Sequence, residues 1–196
     1  MLNHYTSDSV LNAEFISVIE LAMKRINTKE RPMSLRSPSV LYLHSRYSRD
    51  EIFAAFGVHS FEKSSSNREG VVDIKNLNTE LLLVTLQKTE HKFSPTTLYK
   101  DYAISENLFH WQSQNSARPD RGKGLSYINH KSMGKTIILF VREQSSDEFD
   151  RAMGFVNLGP VFIESHNGSQ PMNITWELEN PLPAFLWSEA AKLSNG

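Results

Sequence analysis

Residues 93–115 hold the side chains best suited to gripping a planar ligand. Five aromatics, Phe93, Tyr99, Tyr102, Phe109 and Trp111, are interleaved with hydroxyl, amide and carboxylate groups. Aromatic faces stack on a nucleic-acid base, while amides and carboxylates read its edge. Asp101 would accept from an exocyclic amine, and Gln112, Gln114 and Asn115 can donate and accept at once. His110, beside Trp111, would add a groove donor or simply sit at the surface. A basic run follows directly. Arg118, Arg121, Lys123, Lys131 and Lys135 are expected to hold phosphates, with help from Arg68. The competing reading is structural. Phe109 and Trp111 are two apart and would share one face of a core strand. Tyr99 and Tyr102 fit a core less well, because Lys100 and Asp101 lie between them.

Other chemistries lack their residues. There is no Gly-x-x-x-x-Gly-Lys-Ser/Thr loop, no Gly-x-Gly-x-x-Gly after a strand, no His-Glu-x-x-His and no Gly-x-Ser-x-Gly. Arg121-Gly122-Lys123-Gly124 lacks the third glycine and the preceding strand, and reads as a flexible basic loop. The seven His are isolated, without ligand spacing. Glu80 and Glu90, with Lys88 between them, are spaced unlike a paired metal-binding set. No catalytic residue, metal site or cofactor is assigned, and the domain is expected not to be an enzyme.

Length and charge frame these residues. The chain has 196 residues, no Cys and a formal net charge of -1. That length suits one domain with a short attachment. Without Cys there is no disulfide framework, no Cys-ligated zinc and no thiol nucleophile. A cytoplasmic location without membrane association is expected, since no apolar run is long enough to span a bilayer and Met1–Val10 shows no secretory signal. The neutral total is misleading. Residues 24–49 carry seven Lys/Arg against Glu30, and residues 111–142 carry six against Asp120. Residues 143–179 carry seven acids against Arg151. Folding could assemble the basic stretches into a positive face on a neutral protein; solvated surfaces are the alternative.

The elements that must position these groups are read from periodicity. Residues 11–28 form an amphipathic helix, with Leu11, Phe15, Val18, Ile19 and Ala22 near a period of 3.6. Residues 29–39 form a linker, and Val40–Leu43 a short extended run. Ser48-Arg49-Asp50-Glu51 has capping-box spacing, and Gly57 sits where a left-handed cap ends that helix. Strands are expected near residues 70–75, 81–86, 96–104, 108–112, 136–142, 155–164 and 172–178, with a bend at Gly159-Pro160. Trp176 belongs to the core of the last strand. Ala184–Leu193 reads as a C-terminal helix. The fold class is α+β: a curved mixed β-sheet or β-barrel of about six strands with flanking helices. Residues 1–37 form a helical lead-in and linker, and 38–196 the recognition domain.

Several blocks occur in a telling order. They are Arg46-Tyr-Ser-Arg-Asp-Glu-Ile-Phe-Ala-Ala-Phe-Gly57, Arg68-Glu-Gly-Val71, Phe93-Ser-Pro-Thr-Thr97, Tyr99-Lys-Asp-Tyr102, Leu108-Phe-His-Trp-Gln-Ser-Gln-Asn115, Leu139-Phe-Val-Arg-Glu143, Leu158-Gly-Pro160 and Pro171-Met-Asn-Ile-Thr-Trp176. Over about residues 38–183 they resemble the bacterial domain-of-unknown-function family 3427. The resemblance implies a domain C-terminal to a superfamily II helicase, often with a phospholipase-D-type nuclease. It also implies the target-recognition part of a modification-dependent (type IV) restriction enzyme. The implied fold is similar to SET-and-RING-associated (SRA) and other PUA-like readers, which flip a modified base into an aromatic pocket. This chain holds neither helicase nor nuclease, and residues 1–37 do not match those parts.

The expected partner is double-stranded DNA carrying 5-methylcytosine or a related base, with a helicase or nuclease partner for cleavage. Physical reasoning, not transfer, gives the base pocket: Tyr99, Asp101, Tyr102, His110, Trp111, Gln112 and Gln114. The alternatives are a protein-coupling module of a helicase–nuclease assembly, a PUA-type RNA reader, or a phosphorothioate or glucosylated-base reader.

Overall fold

A computed structural model describes residues 12–14, 16–17, 41–59, 69–86 and 101–187. The chain divides into two compact units, Met1–Arg31 and Pro32–Gly196. In the first, the described residues are helical, and the Ser17 hydroxyl donates to the Ala13 carbonyl at 2.9 Å. Most of the helix expected over 11–28 and the linker at 29–39 lie outside the described residues. The second unit carries the site.

Its strands are β1 (Arg46–Tyr47), β2 (Val71–Ile74), β3 (Thr79–Thr85), β4 (Tyr102–Ala103), β5 (Leu108–Gln112), β6 (Thr136–Arg142), β7 (Phe155–Gly168) and β8 (Met172–Leu178). Two α-helices, α1 (Arg49–Ala55) and α2 (Gly122–Ile128), accompany them. The strands form one mixed sheet in the order β2-β3-β6-β7-β8-β5-β4, with β1 paired to the start of β7. Strands β3 and β6 pair in parallel from Thr79↔Thr136 to Thr85↔Arg142. Their residues are apolar in near-continuous runs because both sheet faces are covered there. Leu82, Val84, Ile137, Leu139 and Val141 point into one core, and Leu81, Leu83, Ile138 and Phe140 into the other. That division is the period of two expected of a strand.

The sheet curls because β7 is long and twice interrupted. Val156–Val161 pairs with β6, and Val161–Gly168 pairs with β8. Register shifts fall opposite Leu139/Phe140 and between Ile163 and Ser165. An extra residue in one strand bends it and increases its twist. Gly159 sits at the first shift with φ 79, and a Cβ there would lie 2.9 Å from Leu43 Cδ1. The curl brings residues of β3 and β5, four places apart in the sheet, into one core around Tyr127 of α2.

Helix α1 forms as its sequence requires. The Ser48 hydroxyl accepts from the Glu51 N–H at 3.2 Å, and the Glu51 carboxylate accepts from the Ser48 N–H at 2.7 Å. Gly57, at φ 68, follows its C-terminus. Ile52 and Phe53 are fully buried against the second core.

The extended run expected over Val40–Leu43 holds a β-bridge residue at Tyr42 and leads to β1, whose neighbour Ser45 accepts from the Asn157 N–H at 3.0 Å. Three expectations change. Arg121–Gly124 is not a flexible loop but the N-cap and first turn of α2. Of the expected strand at 96–104, residues 96–100 lie outside the described residues and only Tyr102–Ala103 pairs. Strand β7 runs to Gly168, beyond the expected Glu164, because its distal part is paired by β8. Ala184–Trp187 is helical, and the rest of the C-terminal helix lies outside the described residues.

Gly124 marks the tightest approach of α2 to the chain. A Cβ there would lie 2.0 Å from the Arg118 carbonyl oxygen and 2.5 Å from Met172 Sδ. Gly124→Ala is therefore expected to lower stability by about 3 kcal/mol. Ser48→Ala, which removes only the helix cap, should cost about 1 kcal/mol. Urea unfolding of the two variants checks the order; equal midpoints would contradict the packing at Gly124.

Candidate nucleic-acid interface

Strand β5 carries the heart of the expected pocket, and its pleat divides that pocket between two faces. Phe109 and Trp111 turn inward, opposite Trp176 and Ile174 of β8. Trp111 is 5% exposed and meets Tyr127 edge to face, with centroids 5.4 Å apart. His110 and Gln112 turn to the other face, half-buried. There the Tyr102 and His110 rings stack at 4.6 Å and 12°. The Gln112 amide donates to Asn173 Oδ1 at 3.2 Å, and Asn173 donates to Asn167 Oδ1 at 3.1 Å. One pocket built from Trp111 together with Tyr102, His110 and Gln112 is not formed, because successive strand residues point apart. Tyr99 lies outside the described residues.

Asp101 is 4% exposed, and its Oδ1 accepts from the Gln112 backbone N–H at 2.9 Å. That carboxylate therefore fixes the chain where β5 ends. The loop that follows is clamped to the turn between β7 and β8. Ser113 exchanges backbone and side-chain hydrogen bonds with Met172, each at 2.9 Å, and the Gln170 N–H donates to the Ala117 carbonyl at 3.0 Å. On this loop the Gln114 side chain turns inward, and its Oε1 accepts from the Tyr127 hydroxyl at 3.0 Å.

Below Tyr127 lies a cluster that the sequence reading missed. Glu80 of β3 has no solvent exposure. It accepts from Lys123 Nζ at 2.8 Å and from Lys135 Nζ. Asp73 of β2 accepts from the same two ammonium groups, at 2.9 and 3.1 Å. Burial alone would raise the Asp73 carboxyl, but the bonds from Lys123 and Lys135 outweigh it and hold it below its ordinary value. Burial would likewise depress Lys123, but Glu80 and Asp73 push it up. Burial, reinforced by the Glu80 charge, pushes the Tyr127 hydroxyl far above the usual phenol range. Lys123 and Lys135 thus neutralise the buried Glu80 and the partly exposed Asp73, which corrects their assignment to phosphates. The available signal was Glu80 itself, a charge inside an otherwise apolar strand.

Several other cations among the described residues are also engaged by the protein. Arg46 forms a two-pronged pair with Glu143, one bond being 2.8 Å. Arg49 donates to the Glu69 carbonyl at 2.8 Å. Arg142 donates to Thr85 Oγ1 at 2.9 Å and lies 4.4 Å over the Phe155 ring. Of the basic stretch at 24–49, only Arg46 and Arg49 are described, and both are engaged in these contacts; Lys24, Arg25, Lys29, Arg31 and Arg36 lie outside the described residues. Arg118 pairs with Asp120 at 3.0 Å at the surface. Arg121 is exposed at the start of α2, and Lys131 is exposed with its ammonium 4.5 Å from the Phe162 ring centre. Arg68 lies outside the described residues. Among the described residues, no group of three His, Cys, Asp or Glu is disposed to hold a metal ion. None of the described helices is long and apolar enough to cross a membrane.

Lys131, Phe162, Pro160, Thr136 and Glu179 help to line a cleft of about 290 Å³. His130 forms part of its wall but is 1% exposed. The Ile163 N–H donates to His130 Nε2 at 3.2 Å, so Nδ1 carries the proton and donates to the Lys135 carbonyl at 3.2 Å. Both ring nitrogens are occupied by this pinning role.

Two outcomes test these assignments. Lys135→Met is expected to cost about 3 kcal/mol or more, because it strips a partner from a buried carboxylate. Arg121→Ala should stay within about 0.5 kcal/mol, as for an exposed substitution. Urea unfolding measures both. Separately, burial, with the nearby Lys131 charge, lowers the His130 pKa below its ordinary 6.5. The neutral ring's contribution is fully present above that value and falls away as pH drops from it toward the folded-state pKa. His44, lowered by burial, acts in the same direction. The urea midpoint should decline as the pH falls below about 6.5, and His130→Gln should flatten that decline.

No curated protein matches the chain. Among solved structures, the SUVH5 SRA domain in complex with fully methylated CG DNA matches with a TM-score of 0.45 and 10% identity, over 78% of this chain and 97% of that chain. The complex with hemimethylated CG DNA gives 0.46 and 11%, over 78% and 97%. Arabidopsis thaliana SUVH6 in complex with SAM gives 0.44 and 10%, over 87% of this chain and 33% of that chain. The family model Domain of unknown function (DUF3427) matches residues 41–190, and the chain belongs to that family.

Proposed function

We propose that this domain reads a modified base, 5-methylcytosine or a close relative, in double-stranded DNA. In this reading it serves as the target-recognition part of a modification-dependent restriction system, with cleavage supplied by a helicase or nuclease partner. One observation carries the reading. The half-buried amide of Gln114, fixed by the buried Tyr127 hydroxyl at 3.0 Å, stands on a loop that also bears Arg118 and leads to Arg121. An edge-reading amide and surface cations on one short segment are two of the parts a base reader needs.

The base would leave the stack, at a cost of a few kcal/mol, and regain it from stacking and edge hydrogen bonds. Asp101, which leads into β4, stays in this proposal, and Tyr99, outside the described residues, is proposed with it from the sequence alone. Tyr102, His110 and Gln112 belong to the other face and leave the pocket. A 5-methyl group contributes only about 0.8 kcal/mol by burial. Discrimination must therefore also come from the loss of a well-placed hydrogen bond or from a steric penalty. Arg118, Arg121 and Lys131 remain as phosphate contacts, with Arg68 as a fourth.

The internal pairing of Lys123, Lys135, Arg46 and Arg142 favours a second reading, a module that couples protein partners and binds DNA weakly. Titration of fully methylated, hemimethylated and plain duplexes at fixed salt, with RNA of the same sequence, separates the two. Preference for a modified duplex of about tenfold or more is expected. Equal affinity for all of them would sink the reader. Arg121→Ala should reduce the salt slope of log K by about 0.9, the share of one phosphate, without changing the preference for the modified base.

A further inference from the structure

The inward amide of Gln114 has a defined orientation, and the residues that define it are not themselves placed to touch DNA. The Tyr127 hydroxyl has a single proton and two oxygen neighbours: Gln114 Oε1 at 3.0 Å and Glu80 Oε1 at 3.4 Å. Glu80 is already supplied by the ammonium groups of Lys123 and Lys135. The hydroxyl donates chiefly to the nearer acceptor, Gln114, with Glu80 as the longer arm of a forked bond. Gln114 Oε1 is thereby occupied. Its Nε2 has no hydrogen-bond partner among the described residues, although the side chain is half-buried.

Tyr127 is itself immobile. It is fully buried, packed against Trp111 and Trp176 at 5.4 and 6.2 Å. Its hydroxyl stays protonated because burial and the Glu80 charge oppose its ionisation. The carboxylate–lysine cluster thus holds a phenol, and the phenol holds one end of an amide.

We propose that Gln114 selects the edge of the bound base as a hydrogen-bond donor, and that Tyr127 is the positioning residue that keeps its NH2 turned toward the ligand. The ligand class follows from this polarity. The edge facing Gln114 must offer an acceptor, an unprotonated ring nitrogen or a keto oxygen, and not an exocyclic amine. Had Tyr127 donated to Glu80 alone, Gln114 would turn its nitrogen onto the phenol and present a carbonyl, and the selected edge would be the opposite. The inference rests on the modified-base reading and adds to it the polarity of one contact.

The test uses the full chain and two duplexes that differ only in one central 5-methylcytosine. Gln114→Glu keeps the shape and the bond from Tyr127 but replaces the free NH2 with an oxygen. The ratio of the two affinities is the readout, since the added charge weakens all DNA binding alike. Gln114→Glu and Gln114→Met should each reduce that ratio by about tenfold. Tyr127→Phe should reduce it several-fold while its melting temperature shows a folded protein and its plain-duplex affinity is unchanged. A ratio retained in Gln114→Glu would show that the amide presents its oxygen, and one retained in Gln114→Met that Gln114 does not touch the base. Either overturns the inference while the reader stands. A wild-type ratio of one overturns the reading itself.

Discussion

A carboxylate without access to water must be compensated on the spot, and Glu80 is compensated by two lysines from distant parts of the chain. Lys135 immediately precedes β6, the parallel neighbour of β3. Lys123 stands on α2 and also reaches Asp73 on β2. The cluster therefore ties the parallel pair, the sheet edge and the helix to one point. Removing one partner would leave charge stranded in the interior, which is costly, whereas an apolar replacement of the whole set need not be. The same arrangement withdraws two of the expected phosphate-binding cations: Lys135 is buried, and the partly exposed Lys123 is engaged by Glu80 and Asp73.

Curling gives the sheet an inside, and the pleat of β5 decides what reaches it. Trp111 and Phe109 enter the interior with Trp176 and Tyr127, while His110 and Gln112 join Tyr102, Asn173 and Asn167 on the other face. The described part of the segment, residues 101–115, thus serves two faces. Phe109 and Trp111 belong to the core, with 0% and 5% exposure, so the core reading is the one that holds for them. Gln114 reaches the inner side because it lies past the end of β5, where alternation no longer dictates direction.

Much of the architecture is legible in the sequence wherever one local rule dominates. The capping box at Ser48 and Glu51 forms because both partners lie within one turn. Strands β6 and β8 match their apolar patterns residue for residue, since covered faces leave little choice. Helix α2 was not legible, because Gly122 and Gly124 are poor helix formers and a tertiary contact decides the matter. At Gly124 the helix needs the absence of a side chain more than it needs propensity. The ion pairs were hidden for a similar reason. Counting charges by segment cannot reveal that Lys135 meets Glu80, or that Arg46 meets Glu143 at a separation of 97 residues. The candidate site inherits both weaknesses, being made of a loop, a missed helix and a missed cluster.

The close approach at Gly124 has a mechanical meaning. Because the helix backbone rests on the Arg118 carbonyl and on Met172, the loop, the helix and the turn between β7 and β8 form a single joint. Arg118 and Arg121 spring from that joint. Their backbones have little freedom left to lose when a ligand arrives, so the entropic cost of placing two cations has been met during folding. In the proposed reading, a charged partner meeting Arg118 and Arg121 would not have to order the backbone that carries them.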